Sequence, residues 1–139
     1  MKKLRFTAMV LCVLTLLTIG VGAYAATKDP DVMPLNTYID YVAATLRTSG
    51  STATAAGQVS PYNNEATRVA VKLQQYIAGG WKTQRIWYGS SSGGTSEAGG
   101  TYTMASGYNY RVQVNGRVVN SSGTTLESVT TNSAVKYYG

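Results

Sequence analysis

Two stretches of this chain alternate apolar and polar residues with a period of two, which is the pattern of a β-strand with one buried face. In the first, Val69, Val71 and Leu73 alternate with charged and amide residues. In the second, residues 108–114, two tyrosines and two valines alternate with Asn, Arg and Gln. Glycine and asparagine interrupt the rest at short intervals, and the intervening segments are rich in Val, Tyr, Thr and Ile. These features predict an all-β fold.

The turn residues divide the chain into about seven predicted strands. Short strands with turns at this spacing are typical of a two-sheet antiparallel sandwich. The first segment also has apolar residues at helical spacing, but its threonine, tyrosine and valine content favours a strand. The predicted strands are residues 38–48, 52–59, 67–77, 81–88, 101–105, 108–118 and 125–137.

Three turn regions refine this prediction. Gly79-Gly80 predicts a hairpin between the third and fourth strands. Residues 89–100 consist almost entirely of Gly, Ser and Thr, which predicts a mobile loop; no lysine or helix follows, as a phosphate-binding loop requires. Asn115-Gly116 fits a bulge within one long strand better than a tight hairpin, although both remain open.

The N-terminus predicts an export signal over residues 1–25. Three of the first five residues are basic, residues 6–21 are uncharged and largely apolar, and Ala23-Tyr24-Ala25 supplies small residues at cleavage-site spacing. We therefore expect a signal helix that is cleaved to leave a secreted protein. The alternative is a membrane anchor that stays uncleaved, because no charge lies between Arg5 and Lys28. Residues 26–37 then form a flexible N-terminal segment and residues 38–139 the β-sandwich domain.

Composition restricts the chemistry of the mature chain. The protein has no histidine, and its one cysteine lies within the signal. This argues against Ser-His-Asp and Cys-His catalysis and against the usual zinc ligands. The carboxylates are expected to be solvated charges rather than a catalytic pair; those of the predicted domain are Asp40, Glu65, Glu97 and Glu127. We expect no enzymatic activity, no cofactor and no metal.

Charge restricts the partners. Without residues 1–25 the net charge falls from +6 to about +3. The remaining basic residues are scattered along the sequence, whereas phosphate backbones require basic residues concentrated on one face. We therefore expect no nucleic-acid partner, and no membrane contact once the signal is removed. The sequence does not determine the oligomeric state.

The aromatic residues favour binding by contact. Ten tyrosines and both tryptophans follow residue 25, but no phenylalanine does. Tyrosine carries a polar group suited to wet surfaces, although strands favour tyrosine in any case. Alternation places Trp81 and Trp87 on one face without showing which is buried. The candidate ligand-binding residues, for cell-wall carbohydrate or a surface protein, are Trp81, Trp87, Tyr88, Tyr62 and Tyr137.

The run Gly107-Tyr108-Asn109-Tyr110-Arg111-Val112-Gln113-Val114, followed by a loop ending in Gly123, resembles the final hairpin of immunoglobulin-like and fibronectin type III modules. The resemblance implies a structural tyrosine that ties a corner to the backbone, which is Tyr110 or alternatively Tyr108, next to Gly107. No cysteine pair joins the predicted sheets, so the fibronectin-like comparison fits better. Most of the mature chain is also similar to an uncharacterised family of small secreted proteins from Gram-positive bacteria, with no activity implied.

Taken together, these features predict a secreted, non-catalytic binding or interaction module of the bacterial surface or extracellular space. Two alternatives remain. Small size, export and mild positive charge also fit a bacteriocin-like antagonist. An exposed edge strand that pairs with a neighbouring copy would instead make the chain an assembling subunit of a surface layer or matrix.

Overall fold

The computed structural model describes residues 36–139. The predicted signal, the alternative anchor and most of the predicted flexible segment lie outside the described residues. Within them the chain forms eight strands, and no helix that could span a membrane occurs there. The strands are β1 (Ile39–Ser49), β2 (Thr52–Pro61), β3 (Ala66–Ile77), β4 (Gly80–Ser91), β5 (Ser96–Thr103), β6 (Tyr108–Val119), β7 (Thr125–Asn132) and β8 (Lys136–Tyr138).

The strands form two antiparallel sheets that pack as a sandwich. The first sheet has the order β1-β2-β5, and the second has the order β4-β3-β6-β7, with β8 also pairing with β6. The predicted all-β sandwich of two antiparallel sheets is therefore confirmed. Strand β4 pairs with β3 in the second sheet, whereas antibody constant domains place their fourth strand in the first sheet.

The predicted last strand is divided in two at Ser133. The backbone N–H of Ser133 donates to Val112 O at 2.8 Å, while its Oγ accepts from Val112 N at 2.8 Å. The serine hydroxyl thus accepts the hydrogen bond from Val112 N that a backbone carbonyl would accept in a regular ladder. The chain then continues beside β6 as β8. This explains why eight strands occur where seven were predicted.

The core lies between the sheets and uses the predicted alternation. Val69, Val71 and Leu73 of β3 are buried, and so are the inward side chains of β6. The first sheet contributes Ile39 and Val59, both fully buried. Each such side chain stabilises the fold by about 1.5–3 kcal/mol relative to exposure. The segment that was ambiguous between helix and strand forms β1, as favoured.

Two glycines let the sheets approach closely. A Cβ on Gly57 of the first sheet would lie 2.5 Å from Val71 Cγ2 of the second. A Cβ on Gly116 of the second sheet would lie 2.7 Å from Val42 and Val59 of the first. In each sheet, a glycine therefore lies directly against valine side chains of the other sheet. The predicted bulge at Asn115-Gly116 is wrong: β6 passes through it without a register shift, because this glycine serves packing.

The predicted glycine-serine loop is also wrong in extent. Strands β4 and β5 occupy most of residues 89–100 and leave only residues 92–95 between them. Gly89 lies against the carbonyl group of Glu97, and Gly100 lies under the indole of Trp87. These glycines permit close approach of neighbouring strands. A composition that suggests a flexible loop therefore marks dense packing here. Gly94 N also donates to Glu65 O at 3.0 Å, which ties the short turn to the β2–β3 loop.

Glu127 of β7 secures the start of the domain. Its Oε1 accepts from Thr37 N at 3.0 Å, and its Oε2 accepts from Tyr38 N at 3.0 Å and from Ile39 N at 2.6 Å. Bonds to an ionised carboxylate are stronger than neutral ones. The expectation that Glu127 is merely a solvated charge is therefore wrong, because the fold brings this carboxylate to three backbone amides.

Candidate functional site

The outer surface of the second sheet gathers positive charge. Residues that pair directly across strands share a face of the sheet, so the register defines this surface. We call it the cationic face, and among residues 36–139 no Asp or Glu occupies it. Its central positions form five rows of paired residues, and each row is read from β4 through β3 and β6 to β7. The rows are Trp81 and Tyr76; Thr83, Gln74 and Arg111; Ile86, Lys72, Gln113 and Asn132; Tyr88, Ala70, Asn115 and Thr130; Ser90, Arg68, Arg117 and Ser128.

The fold thus changes the interpretation of the scattered basic residues. Arg68 and Lys72 lie four residues apart on β3, and Arg111 and Arg117 lie six apart on β6. Even spacing places each pair on one face of its strand, and β3 pairs with β6 in a register that puts both pairs on the same side. Contrary to the sequence-based expectation, four cations are concentrated on one surface.

At one end of the cationic face, Arg111 is held in position by its neighbours. Its Nε donates to Gln74 Oε1 at 2.9 Å, and Gln74 Nε2 donates to Thr83 Oγ1 at 3.3 Å. The Gln74 side chain is buried, with 7% of the residue exposed. The Arg111 guanidinium carbon lies 4.3 Å from the centroid of the Trp81 ring. We call this arrangement the Arg111 site.

A bulge in β4 creates this site. Leu73 pairs with Arg85, but Gln74 pairs with Thr83, so Gln84 is an extra residue on β4. The bulge reverses the alternation and turns Trp81 to the outer face. Tyr76 then packs edge-on against Trp81, with ring centroids 5.2 Å apart and an interplanar angle of 65°.

The Arg111 site is suited to recognising an oxyanion. Within the described residues, the two Nη atoms have no hydrogen-bond partner, while Nε is occupied by Gln74. Stacking on the indole and the bond to Gln74 restrict the rotation of the side chain, so little conformational entropy is lost when the two Nη groups bind a ligand. A carboxylate or phosphate accepts two parallel bonds from such a fork.

At the other end, Arg68 of β3 pairs directly with Arg117 of β6. The two arginines, with Tyr88 and Ser90, line a shallow depression of about 350 Å³. Tyr88 is 74% exposed beside them. We call this the Arg68–Arg117 site. A second depression of about 380 Å³ shares Arg68 and Ser90 with it and extends into the loops at this end, where its lining includes Ser91, Ser92, Asn120 and Ser121.

The predicted ligand-binding residues do not form one cluster. Trp81 and Tyr88 lie on the cationic face, and Tyr137 joins them at its edge because it pairs with Asn109 of β6. Trp87 pairs with Val71, faces inward and packs against the core. Tyr62 lies in the β2–β3 loop, where its N–H donates to Tyr38 O at 2.9 Å.

Tyr110 links the β5–β6 corner to the second sheet. The residue is fully buried, and its hydroxyl accepts from Ala105 N at 2.8 Å and donates to Ala105 O at 3.1 Å. Burial raises the pKa of this hydroxyl above its ordinary value, although the bond to Ala105 opposes the shift. Tyr108 is 38% exposed at the strand end. Gly107 has a φ of +90° and donates its N–H to Tyr138 O at 2.6 Å.

Sequence reasoning missed the residues that build both ends of the cationic face: Arg68, Gln74, Arg111 and Arg117. The sequence signal that could have found the arginines was their odd or even position in the strand, because each arginine lies at a polar position of an alternating strand. Parity alone does not show that β3 and β6 are neighbours. Gln74 carries no signal of its own, since its role depends on the bulge opposite it.

No protein-family model and no curated protein matches this chain. Among residues 36–139 no three or more His, Cys, Asp or Glu side chains are grouped so that they could hold a metal ion.

Proposed function

We propose that this protein is a secreted, non-catalytic binding module for cell-wall carbohydrate, and that the carbohydrate lies on the cationic face. The observation that carries the proposal is the Arg111 site. A guanidinium stacked on Trp81 and bonded to a buried glutamine is arranged to receive a ligand, whereas an ordinary surface arginine moves freely in water.

The surroundings of the Arg111 site support this proposal. The face is a broad open surface, as suits an extended polymer. Tyr88 and Tyr137 are 74% and 67% exposed, and tyrosine combines an apolar ring with a polar hydroxyl that suits contact with a wet ligand. Amide and hydroxyl side chains on β6 and β7 supply hydrogen-bonding groups between the charges.

The sequence supports the remaining parts of the proposal. The export signal predicted over residues 1–25 would deliver the domain to the cell surface. The chain has no histidine, and its only cysteine lies within that signal. Of the acidic side chains, Glu127 and Glu65 are occupied by backbone amides, at residues 37–39 and at Asn63. A role by contact therefore fits the available groups better than catalysis.

Co-sedimentation with isolated Gram-positive cell walls tests the proposal. Residues 26–139, which include the whole described domain, should sediment with the walls, and Arg111→Ala should reduce the bound fraction several-fold. Arg47→Ala is the matched control, because Arg47 is exposed on the first sheet and its loss changes the net charge equally. Equal retention of Arg111→Ala and Arg47→Ala, with both variants folded by circular dichroism, would overturn the assignment of the face.

A further inference from the structure

Resting on that proposed function, we infer that the carbohydrate is a linear acidic polysaccharide that lies along the strands and is held at two anion sites about 20 Å apart. The separation follows from strand geometry: Arg111 and Arg117 are six residues apart on one strand, and each residue advances the chain by about 3.4 Å. The Arg111 site and the Arg68–Arg117 site therefore bind separate charged groups of one extended ligand.

The direct pairing of Arg68 with Arg117 is the first argument for an anionic ligand. Like charges placed directly opposite each other on neighbouring strands destabilise a sheet. No acidic side chain of the described residues shares the face with them. An anion bound between the two guanidinium groups removes the repulsion and gains bonds from both.

The groups between the two sites indicate that the ligand carries hydroxyl groups as well as charge. Lys72 of β3 is the one cation of this middle region. The side chains that β6 and β7 place there carry amide or hydroxyl groups. Asn115 Nδ2 donates to Ser128 Oγ at 2.8 Å and to Thr130 Oγ1 at 3.0 Å, which orders these groups into a ladder. A sugar acid, which carries hydroxyl groups beside each carboxylate, matches the amide and hydroxyl groups of this region better than a phosphodiester backbone, which carries fewer.

The exposed aromatic rings favour sugar over a purely ionic polymer. Tyr88 stands beside the Arg68–Arg117 site, and nothing in the described part of the chain covers most of its ring. A sugar ring that packs on Tyr88 places its carboxylate near the two guanidinium groups. At the opposite end, Trp81 is occupied by Arg111 and serves to position that charge.

Binding of galacturonate oligomers of two lengths tests the two-site arrangement by titration calorimetry on residues 26–139. Decagalacturonate spans both sites and should bind about 100-fold more tightly than digalacturonate, because the second contact is intramolecular. Either Arg111→Ala or Arg117→Ala should reduce this advantage to less than about tenfold. Arg47→Ala should retain it in full. Equal affinity for the two lengths would overturn the two-site arrangement.

Matched polymers test the chemical class. A neutral galactan decasaccharide, poly(glycerol phosphate) and oligo(dT) should each bind at least about tenfold more weakly than decagalacturonate. Equal or tighter binding of the neutral sugar would overturn the acidic assignment, and equal or tighter binding of either phosphodiester would overturn the carbohydrate class. If wall binding depends on Arg111 while decagalacturonate does not bind, the acidic-polysaccharide inference fails and the proposed wall-binding function stands.

Discussion

Trp81 and Trp87 lie on opposite faces of β4, although they are six positions apart in the sequence. Simple alternation requires the same face for both. The bulge at Gln84 inserts one residue between them and reverses the side on which Trp81 emerges. Trp87 consequently packs in the sandwich over Gly100, and Trp81 supports Arg111 on the cationic face.

The two tryptophans should respond differently to truncation. Trp87→Ala removes packing from the core and is expected to lower the free energy of unfolding by about 2 kcal/mol or more. Trp81→Ala loses a cation–π contact and an aromatic pair at a partly exposed site, and should cost about 1 kcal/mol. Urea unfolding followed by circular dichroism measures both. A larger loss for Trp81→Ala than for Trp87→Ala would contradict the assigned faces.

Charge alone should not substitute for Arg111. Arg111→Lys keeps the positive charge but loses the planar fork and its stacking on Trp81, so wall binding should fall nearly as far as in Arg111→Ala. Arg47→Lys on the first sheet provides the matched control and should bind as the parent protein does. Full retention of binding by Arg111→Lys would show that net charge, rather than the geometry of this site, attracts the ligand.

Tyr110 should make stability depend on alkaline pH. Burial raises its pKa in the folded state above that of an unfolded tyrosine, which is near 10. Its contribution is therefore complete below about pH 10 and is lost as the pH rises through the folded-state pKa. Tyr110→Phe should lower stability at pH 7 by about 1–3 kcal/mol, because Ala105 loses both bonds. The variant should also show a shallower decline above pH 10 in urea unfolding, and an unchanged slope would exclude Tyr110 as its source.

Gly57 and Gly116 should tolerate no side chain. Either Gly57→Ala or Gly116→Ala forces the valines of the facing sheet apart and should cost about 1–3 kcal/mol. Gly80→Ala is the control, since a Cβ there meets nothing within 4 Å, and should change stability by less than about 0.5 kcal/mol. Thermal unfolding of the three variants makes the comparison. Similar melting temperatures for all three would mean that the sheets do not meet at these glycines.

Ala78 occupies a turn position that strains it. With Gly79 it forms the two-residue β3–β4 turn, and both residues have positive φ, 52° and 80°. Such turns favour Asn-Gly, and a left-handed conformation costs alanine about 1–2 kcal/mol. Ala78→Asn should therefore raise the free energy of unfolding by about 0.5–1 kcal/mol, whereas Ala78→Val should lower it. A stabilising valine would show that the turn has another conformation.

The strands themselves could be predicted because the alternation of apolar and polar residues within each segment shows which side of the strand is buried. Val69, Val71 and Leu73 must face the core in any fold that buries one side of their strand. Tyr110 was placed at a corner through the resemblance to fibronectin type III modules, with Tyr108 as the alternative, and only the structure shows that Tyr110 bonds Ala105. The prediction for the glycines of residues 89–100 was wrong because glycine is common both in flexible loops and where strands pack closely. Only a packed neighbour, such as the Trp87 indole against Gly100, distinguishes the two cases.

By itself, the sequence determined that this chain folds as β-strands, because side-chain parity and turn residues are local properties. It also determined a composition with no histidine and one cysteine. Only the tertiary structure decided that Arg111 and Arg68 share a face, because strand order and register arise from the packing of two sheets. The face of Trp81 was likewise decided by the bulge opposite Gln74, since one extra residue reverses alternation without leaving a mark in the pattern.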